Sequence, residues 1–241
     1  MNWSGGKDSS LCLYKVLQNQ RLQVECLLTS VNKAHNRISM HGVRKELLFA
    51  QAKNLNMPVR LLEIPENPSM EEYEQLMENE VKRFRDEGIS HAIFGDIFLE
   101  DLRNYREKKL QPMGIQVHFP LWKVPTKALM EEFLTLGFKA IIVSVNEKYL
   151  DKSFCGRVID DAFVKDIPPN IDICGENGEY HSFVFDGPIF SEPILFEKGE
   201  IVYRQYPAPK KDNEAGYQCG NEDEKQYGFY FCDLLPVDSA I

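Results

Sequence analysis

The six cysteines of this 241-residue chain, Cys12, Cys26, Cys155, Cys174, Cys219 and Cys232, form no CxxC pair. That absence removes the usual ligand spacing of a zinc ribbon or an iron–sulfur cluster. A chain of this length also needs no disulfide, so the thiols are expected to be free and buried. No apolar run approaches the ~20 residues of a membrane-spanning helix. The start, MNWSGGKDSS, has neither the basic nor the apolar region of a secretory signal, and the expected location is cytoplasmic. Basic residues are in the minority, 28 Lys and Arg against 37 Asp and Glu, for a net charge of −9. Bulk charge therefore does not draw the chain to nucleic acid, although a local basic patch still could. Neither the Walker pattern GxxxxGK[ST] nor the dinucleotide fingerprint GxGxxG occurs.

What is present is a 43% hydrophobic chain long enough for one large domain, or a domain with a smaller appendage. Apolar runs with strand character at 22–31, 59–64, 91–97, 115–122 and 139–145 alternate with helix-like runs at 42–56, 69–88, 99–114 and 125–138. Ser69 can cap the 69–88 helix, Glu71 and Glu72 suit its positive end, and Gly88 closes it. Alternation of this kind predicts a parallel sheet wrapped by helices over residues 1–130. Residues 131–241 read differently. Short β-prone runs at 181–190, 200–206 and 227–235 predict a smaller mixed α/β domain, and the polar stretch 207–225 predicts a long exposed loop.

The stretch SGGKDSS (4–10) falls between the first strand and the first helix, where open parallel sheets bind ligands. Gly5 and Gly6 let backbone amides approach an anion, and the helix from Ser10 aims its positive end at the same point. Lys7 adds charge, Ser4 and Ser9 can donate to phosphate oxygens, and Asp8 suits a site that also holds Mg²⁺. Only Met1–Trp3 precede this loop, so the first strand is expected to be truncated or to need residues upstream.

Ser4 to Ser9 resembles, position by position, the SGGxDS pyrophosphate loop of the ATP pyrophosphatases. Further stretches narrow the likeness: HGVRKELLFAQAKNLNMP (41–58), IFGDI (93–97), FPLWK (119–123) and CGENGEYHSFVFDGP (174–188). In order and spacing they resemble the diphthine–ammonia ligase-like family, whose second motif is of the type EGGE[FY]xT. Asn177 stands where that pattern has glycine, and Ser182 where it has threonine. The resemblance implies an adenine nucleotide alpha hydrolase-like, Rossmann-like domain with a smaller C-terminal domain. It also implies use of ATP with Mg²⁺, release of AMP and pyrophosphate, and amide formation between ammonia and a carboxylate. The acceptor would be protein-bound diphthine or another carboxylate.

On this reading Ser4, Gly5, Gly6, Lys7, Asp8 and Ser9 bind the nucleotide, and Gly95 and Asp96 contact adenosine or the reacting centre. Asp8, Glu176, Glu179 and His181 are the catalytic candidates. Two carboxylates spaced i, i+3 and followed by a histidine could hold Mg²⁺, orient the amine or take its proton, and ENGE is also a good turn sequence. His41, Arg103 and Arg106 are candidate substrate-binding residues, the arginines on a basic helix face that would attract phosphates or an acidic partner. Two other readings stay open: a pyrophosphate-loop enzyme modifying tRNA or a small metabolite, and a nucleotide-binding module without catalysis. The missing CxxC speaks against a thiolating branch. Exposed strands in the second part would support a homodimer.

Overall fold

The structure, a computed structural model, describes residues 1–19, 21–66, 68–207 and 226–237. The first part alternates helices and strands: α1 (Lys7–Asn19), β1 (Leu27–Asn32), β2 (Arg37–Ile38), α2 (Lys45–Asn54), β3 (Val59–Ile64), α3 (Met70–Asp86), β4 (His91–Ile93), α4 (Glu100–Leu110) and β5 (Gln116–His118). The second part comprises α5 (Thr126–Thr135), β6 (Lys139–Asn146), α6 (Asp161–Asp166), β7 (Tyr180–Asp186), β8 (Phe196–Pro207) and β9 (Gln226–Pro236).

β1 and β3 run parallel from Leu27 opposite Val59 to Asn32 opposite Ile64, and β4 and β5 run parallel from His91 opposite Gln116 to Ile93 opposite His118. Residues 1–3 join the two ladders. Asn2 pairs in parallel with Leu28, the Trp3 amide donates to Leu28 O at 2.8 Å, and the Asn2 amide donates to Ile93 O at 2.9 Å. The order across the sheet is therefore β3, β1, residues 1–3, β4, β5. The chain crosses to one side of residues 1–3 for β1 and β3 and to the other for β4 and β5. That reversal leaves a crevice beyond the strand ends at Ser4 and Gly95. Residues 1–3 contribute a single bridge, at Asn2, with backbone hydrogen bonds to both neighbouring strands.

The second sheet is antiparallel in the order β7, β6, β9, β8. β6 is its centre, and every residue from Ala140 to Asn146 is buried, as its apolar run requires. Trp3, Leu13, Leu27 and Leu47 from the first part share one buried cluster with Ile142, Phe183 and Leu234 from the second. A smaller cluster of Val81, Phe94, Leu110 and Ile115 packs α3 and α4 over β4 and β5.

Several elements are shorter than their apolar runs. Pairing with β3 begins only at Leu27, so residues 22–26 lead into β1 as irregular chain. Arg44 is extended, with ψ 142°, and α2 starts after it. Pro112 turns the end of the expected 99–114 helix into a 3₁₀ turn at Gln111–Met113. β4 stops at Ile93 because Gly95 and Asp96 turn into the crevice. Helix α3 carries the expected cap: Ser69 Oγ accepts from the Glu72 amide at 3.1 Å and Glu72 accepts from the Ser69 amide at 2.8 Å. The five cysteines among the described residues are buried and free. Residues 208–225 of the expected loop, Cys219 with them, lie outside the described residues.

Candidate functional site

A cleft of about 490 Å³ opens at the crevice. Its walls come from the Ser4–Ser9 loop, the ends of β1 and β4, the 38–41 turn, Tyr73 of α3, Arg106 of α4 and the 175–182 segment.

Gly5 takes φ +76°, which favours glycine, and turns the chain into α1. The loop is tied to itself: the Gly6 amide donates to Ser4 Oγ at 3.2 Å, Ser9 Oγ donates to Gly6 O at 2.9 Å, and the two hydroxyls lie 3.3 Å apart. It is tied equally to β7. The Lys7 amide donates to Ser182 Oγ at 3.1 Å and the Val184 amide to Gly5 O at 2.9 Å. Any Cβ at Gly95 would meet the Asp8 backbone at 3.1 Å, so this glycine lets the end of β4 close on the first turn of α1.

Lys7 is only 4% exposed, and its ammonium contacts both Asp8 oxygens at 2.7 Å. Burial opposes the Lys7 charge most strongly, but Asp8, Cys174 and Tyr180 together raise the ammonium above its ordinary pKa. Burial in turn raises the Asp8 carboxyl, with Lys7 pulling the other way. Asp96 is paired with Arg106, Nε to Oδ2 at 2.8 Å, and the guanidinium lies 4.1 Å from the Phe94 ring centroid. Burial raises the Asp96 carboxyl, again against the pull of its arginine.

His41 and His181 stack at 4.6 Å between ring centroids. His41 Nδ1 lies 3.1 Å from Ser182 O, a pure acceptor, so that nitrogen carries the proton. Burial pulls His41 down to about 4, with Lys7 adding to it, and burial together with His41 holds His181 well below its usual range. Both rings are neutral at pH 7.

Glu176 and Glu179 diverge. Glu176 lines the cleft, and its Oε1 accepts from the Ile97 amide at 2.7 Å. Burial raises its carboxyl to about 7, with Asp8 adding to the effect. Glu179 is 3% exposed and does not line the cleft. It accepts from the Asp172 amide at 3.2 Å, the Asn177 amide at 2.9 Å and Asn177 Nδ2 at 3.0 Å. Glu179, expected among the catalytic candidates, thus stands apart from the cleft, its carboxylate filled by its own loop's amides. Arg103, expected among the substrate-binding candidates, also lies outside the cleft. Its Nε donates to Glu107 at 2.8 Å, its guanidinium sits 4.7 Å from the Trp122 ring centroid and 5.0 Å from that of Phe119, and it does not line the cleft. Of the remaining candidates, Ser4, Gly6, Lys7, Asp8, Ser9, His41, Gly95, Asp96, Arg106, Glu176 and His181 all line it, while Gly5 shapes it from behind.

A family model described as the diphthamide synthase N-terminal domain matches residues 1–117, and one described as the diphthamide synthase C-terminal domain matches residues 125–208. The chain belongs to the diphthine–ammonia ligase-like family. Proteins named diphthine–ammonia ligase match it at 27% identity in Bos taurus over 144 residues, 57% of this chain and 52% of that protein. The Danio rerio protein matches at 27% over 143 residues, 55% and 53% of the two chains, and the Homo sapiens protein at 26% over 144 residues, 57% and 52%. The matched stretch spans about half the length of these relatives. Among the described residues no helix is long and apolar enough to cross a membrane.

In this ligase-family chain one buried polar residue escaped the sequence reading. Gln51 on α2 donates to Gly5 O at 2.9 Å and Val184 O at 2.7 Å, and accepts from Trp3 Nε1 at 3.0 Å. It stitches loop, α2 and β7 together. The signal was there: Gln51 sits at helical spacing from Leu47, Leu48 and Leu55, a polar residue in an apolar stripe. The clasp of Arg37 and Arg44 on Asp233, at 2.8 and 2.6 Å, had no such signal, since its partners lie about 190 residues apart.

Proposed function

We propose that this chain is an ATP-dependent amide ligase that adenylates a carboxylate, releases pyrophosphate, and then passes ammonia to the acyl-adenylate with release of AMP. The observation that carries this reading is the Ser4–Ser9 loop, seated at the N-terminus of α1 and at the switch point of a parallel sheet, with a second motif facing it across one cleft. The name of the matched relatives supplies the acceptor to try first, protein-bound diphthine, with ammonia as the amine.

Residues 1–130 would hold the nucleotide and residues 131–241 would present the acceptor. An acceptor oxygen attacks the α-phosphorus, the α–β P–O bond breaks, and the pyrophosphate takes the electron pair. Little covalent chemistry falls to the protein, so its part is positioning and charge stabilisation. The first-turn amides of α1 and the Lys7 ammonium neutralise the pyrophosphate, and the Ser4 and Ser9 hydroxyls turn from each other to its oxygens. The neutral His41–His181 pair adds hydrogen bonding without charge. Among the described residues no group of three or more His, Cys, Asp or Glu could hold a metal, and Asp8 and Asp96 each already have a cation partner. Mg²⁺ therefore belongs with the nucleotide as part of the substrate, where it neutralises the leaving phosphates.

The test is product analysis with ATP, ammonium and diphthine-bearing translation factor. AMP and pyrophosphate should form only with all three present, and Asp8→Ala, which removes the carboxylate that positions the Lys7 ammonium, should lower the rate at least about 100-fold, the scale of one misplaced transition-state contact. ADP and phosphate as products would overturn the reading.

A further inference from the structure

Three carboxylates line the cleft, Asp8, Asp96 and Glu176. Two are already matched by a cation, Asp8 by Lys7 at 2.7 Å and Asp96 by Arg106 at 2.8 Å. Glu176 has no cationic partner among the described residues. Its Oε1 is held by the Ile97 amide at 2.7 Å, and its own amide donates to Asp172 Oδ2 at 3.0 Å, so both its side chain and its backbone are fixed. The groups around it are Lys7 and Asp8 from α1, Asp96 beyond β4, and Asp172 and Cys174 of its own loop, with neutral His181 and Tyr180 on β7. Burial pushes the Cys174 thiol up to about 12 and raises Tyr180 well above its usual range, so neither is charged at pH 7. A half-buried carboxylate beside two others, and without a counter-charge of its own, is a site for a small cation.

We propose that Glu176 receives the ammonium ion in the cleft and takes one of its protons, delivering neutral ammonia to the acyl-adenylate. The inference rests on the ligase reading above. Ammonium has no lone pair and cannot attack. Transfer of one proton to Glu176 leaves ammonia, whose lone pair forms the C–N bond. The C–O bond to AMP then breaks with its electron pair, and a second proton passes from the nitrogen to solvent water to give the neutral amide. Because burial raises the Glu176 carboxyl to about 7, it changes protonation near neutrality, as a proton acceptor working at pH 7 must.

Two measurements test this. In the first, the Glu176 carboxyl of the wild-type protein is titrated by ¹³C NMR, assigned against Glu176→Gln, in ammonium chloride and in sodium chloride at equal ionic strength. Ammonium should lower the apparent pKa by about half a unit relative to sodium. Equal values in the two salts would overturn the ammonium site. In the second, Glu176→Gln is assayed at pH 7 with ammonium and with hydroxylamine, a nucleophile already largely neutral at that pH. The ratio of ammonium-driven to hydroxylamine-driven rate should fall about 100-fold against wild type. An unchanged ratio would overturn the proton transfer. If the wild-type protein makes no AMP and pyrophosphate, the ligase reading fails, while the salt comparison still decides whether Glu176 holds ammonium.

Discussion

The two walls of the cleft are held in opposite ways. On the wall built from α1, α4 and the end of β4 the charges are paired, Lys7 with Asp8 and Arg106 with Asp96, and the Ser4 and Ser9 hydroxyls close on the loop itself. On the 174–182 wall the matching is divided within one motif. Glu179 takes three N–H donors from its own loop, and Glu176, three residues before it, takes one and faces the cleft. Gly178 at φ +82° between them turns the chain so that two carboxylates of identical chemistry end on different sides of one loop. Position, not residue type, separates the carboxylate filled by its own loop from the one that lines the cleft.

Removing each glutamate in turn tests that contrast, and the larger effect belongs to the buried one. Glu179→Ala strands two backbone amides and the Asn177 side-chain amide, and hydrogen bonds to a charged acceptor are worth about 1.5–3 kcal/mol each. With partial relaxation of the loop, a loss of about 3 kcal/mol is expected. Calorimetry should show it as a Tm lowered by about 6–12 °C. A Tm within about 2 °C of wild type would show that the loop stands without its carboxylate, and would return Glu179 to the list of functional residues.

The same contrast marks how far the sequence could be read. Strands, helices and the loop were legible because they rest on local signals: apolar period, Ser69 as cap, glycines at 5 and 6. The run VRLLEI gives β3 at its full extent, 59–64. The ends of β4 and β5 were not legible, because they are set by where the partner strand leaves, as at Gly95. The two glutamates were beyond reach for a related reason. ENGE announces a turn, but which carboxylate turns inward depends on the left-handed Gly178 and on amides at 172 and 177. The surroundings of Arg103 were not legible either, because a basic helix face looks alike whether its arginines meet a ligand or, as here, pack on the rings of Phe119 and Trp122.

A smaller effect, opposite in sign, is expected at Glu176. Its folded-state pKa is raised to about 7, so the folded protein binds this proton more tightly than the unfolded chain does. Its penalty is absent below the ordinary carboxylate range, grows as pH rises toward 7, and is complete above it. Glu176→Gln removes the penalty. The variant and the wild type should melt together near pH 4 and separate above pH 7, with the variant about 2–4 °C higher, a gain of about 1 kcal/mol once screening by water in the cleft is allowed for. A variant that melts lower than wild type at pH 8 would mean that the ionised carboxylate has a partner in the fold, and the contrast with Glu179 would collapse.

The smallest effect on the cleft belongs to Arg103, whose guanidinium lies outside both walls. It stacks on Trp122 and Phe119 and pairs with Glu107 one turn along α4. A partly exposed cation–π contact is worth about 0.5–1 kcal/mol and an i,i+4 pair about 0.3–0.5. Arg103→Ala should therefore lower Tm by about 2–6 °C at most. It should leave the KM for ATP within about 2-fold, since the residue removed makes no wall of the cleft. Arg106→Ala is the control, because it frees Asp96 inside the cleft and should raise that KM clearly more. Equal KM changes in the two variants would bring Arg103, expected only as a substrate-binding candidate, to the ATP site as well, and would mean that α4 moves over the cleft when ATP binds.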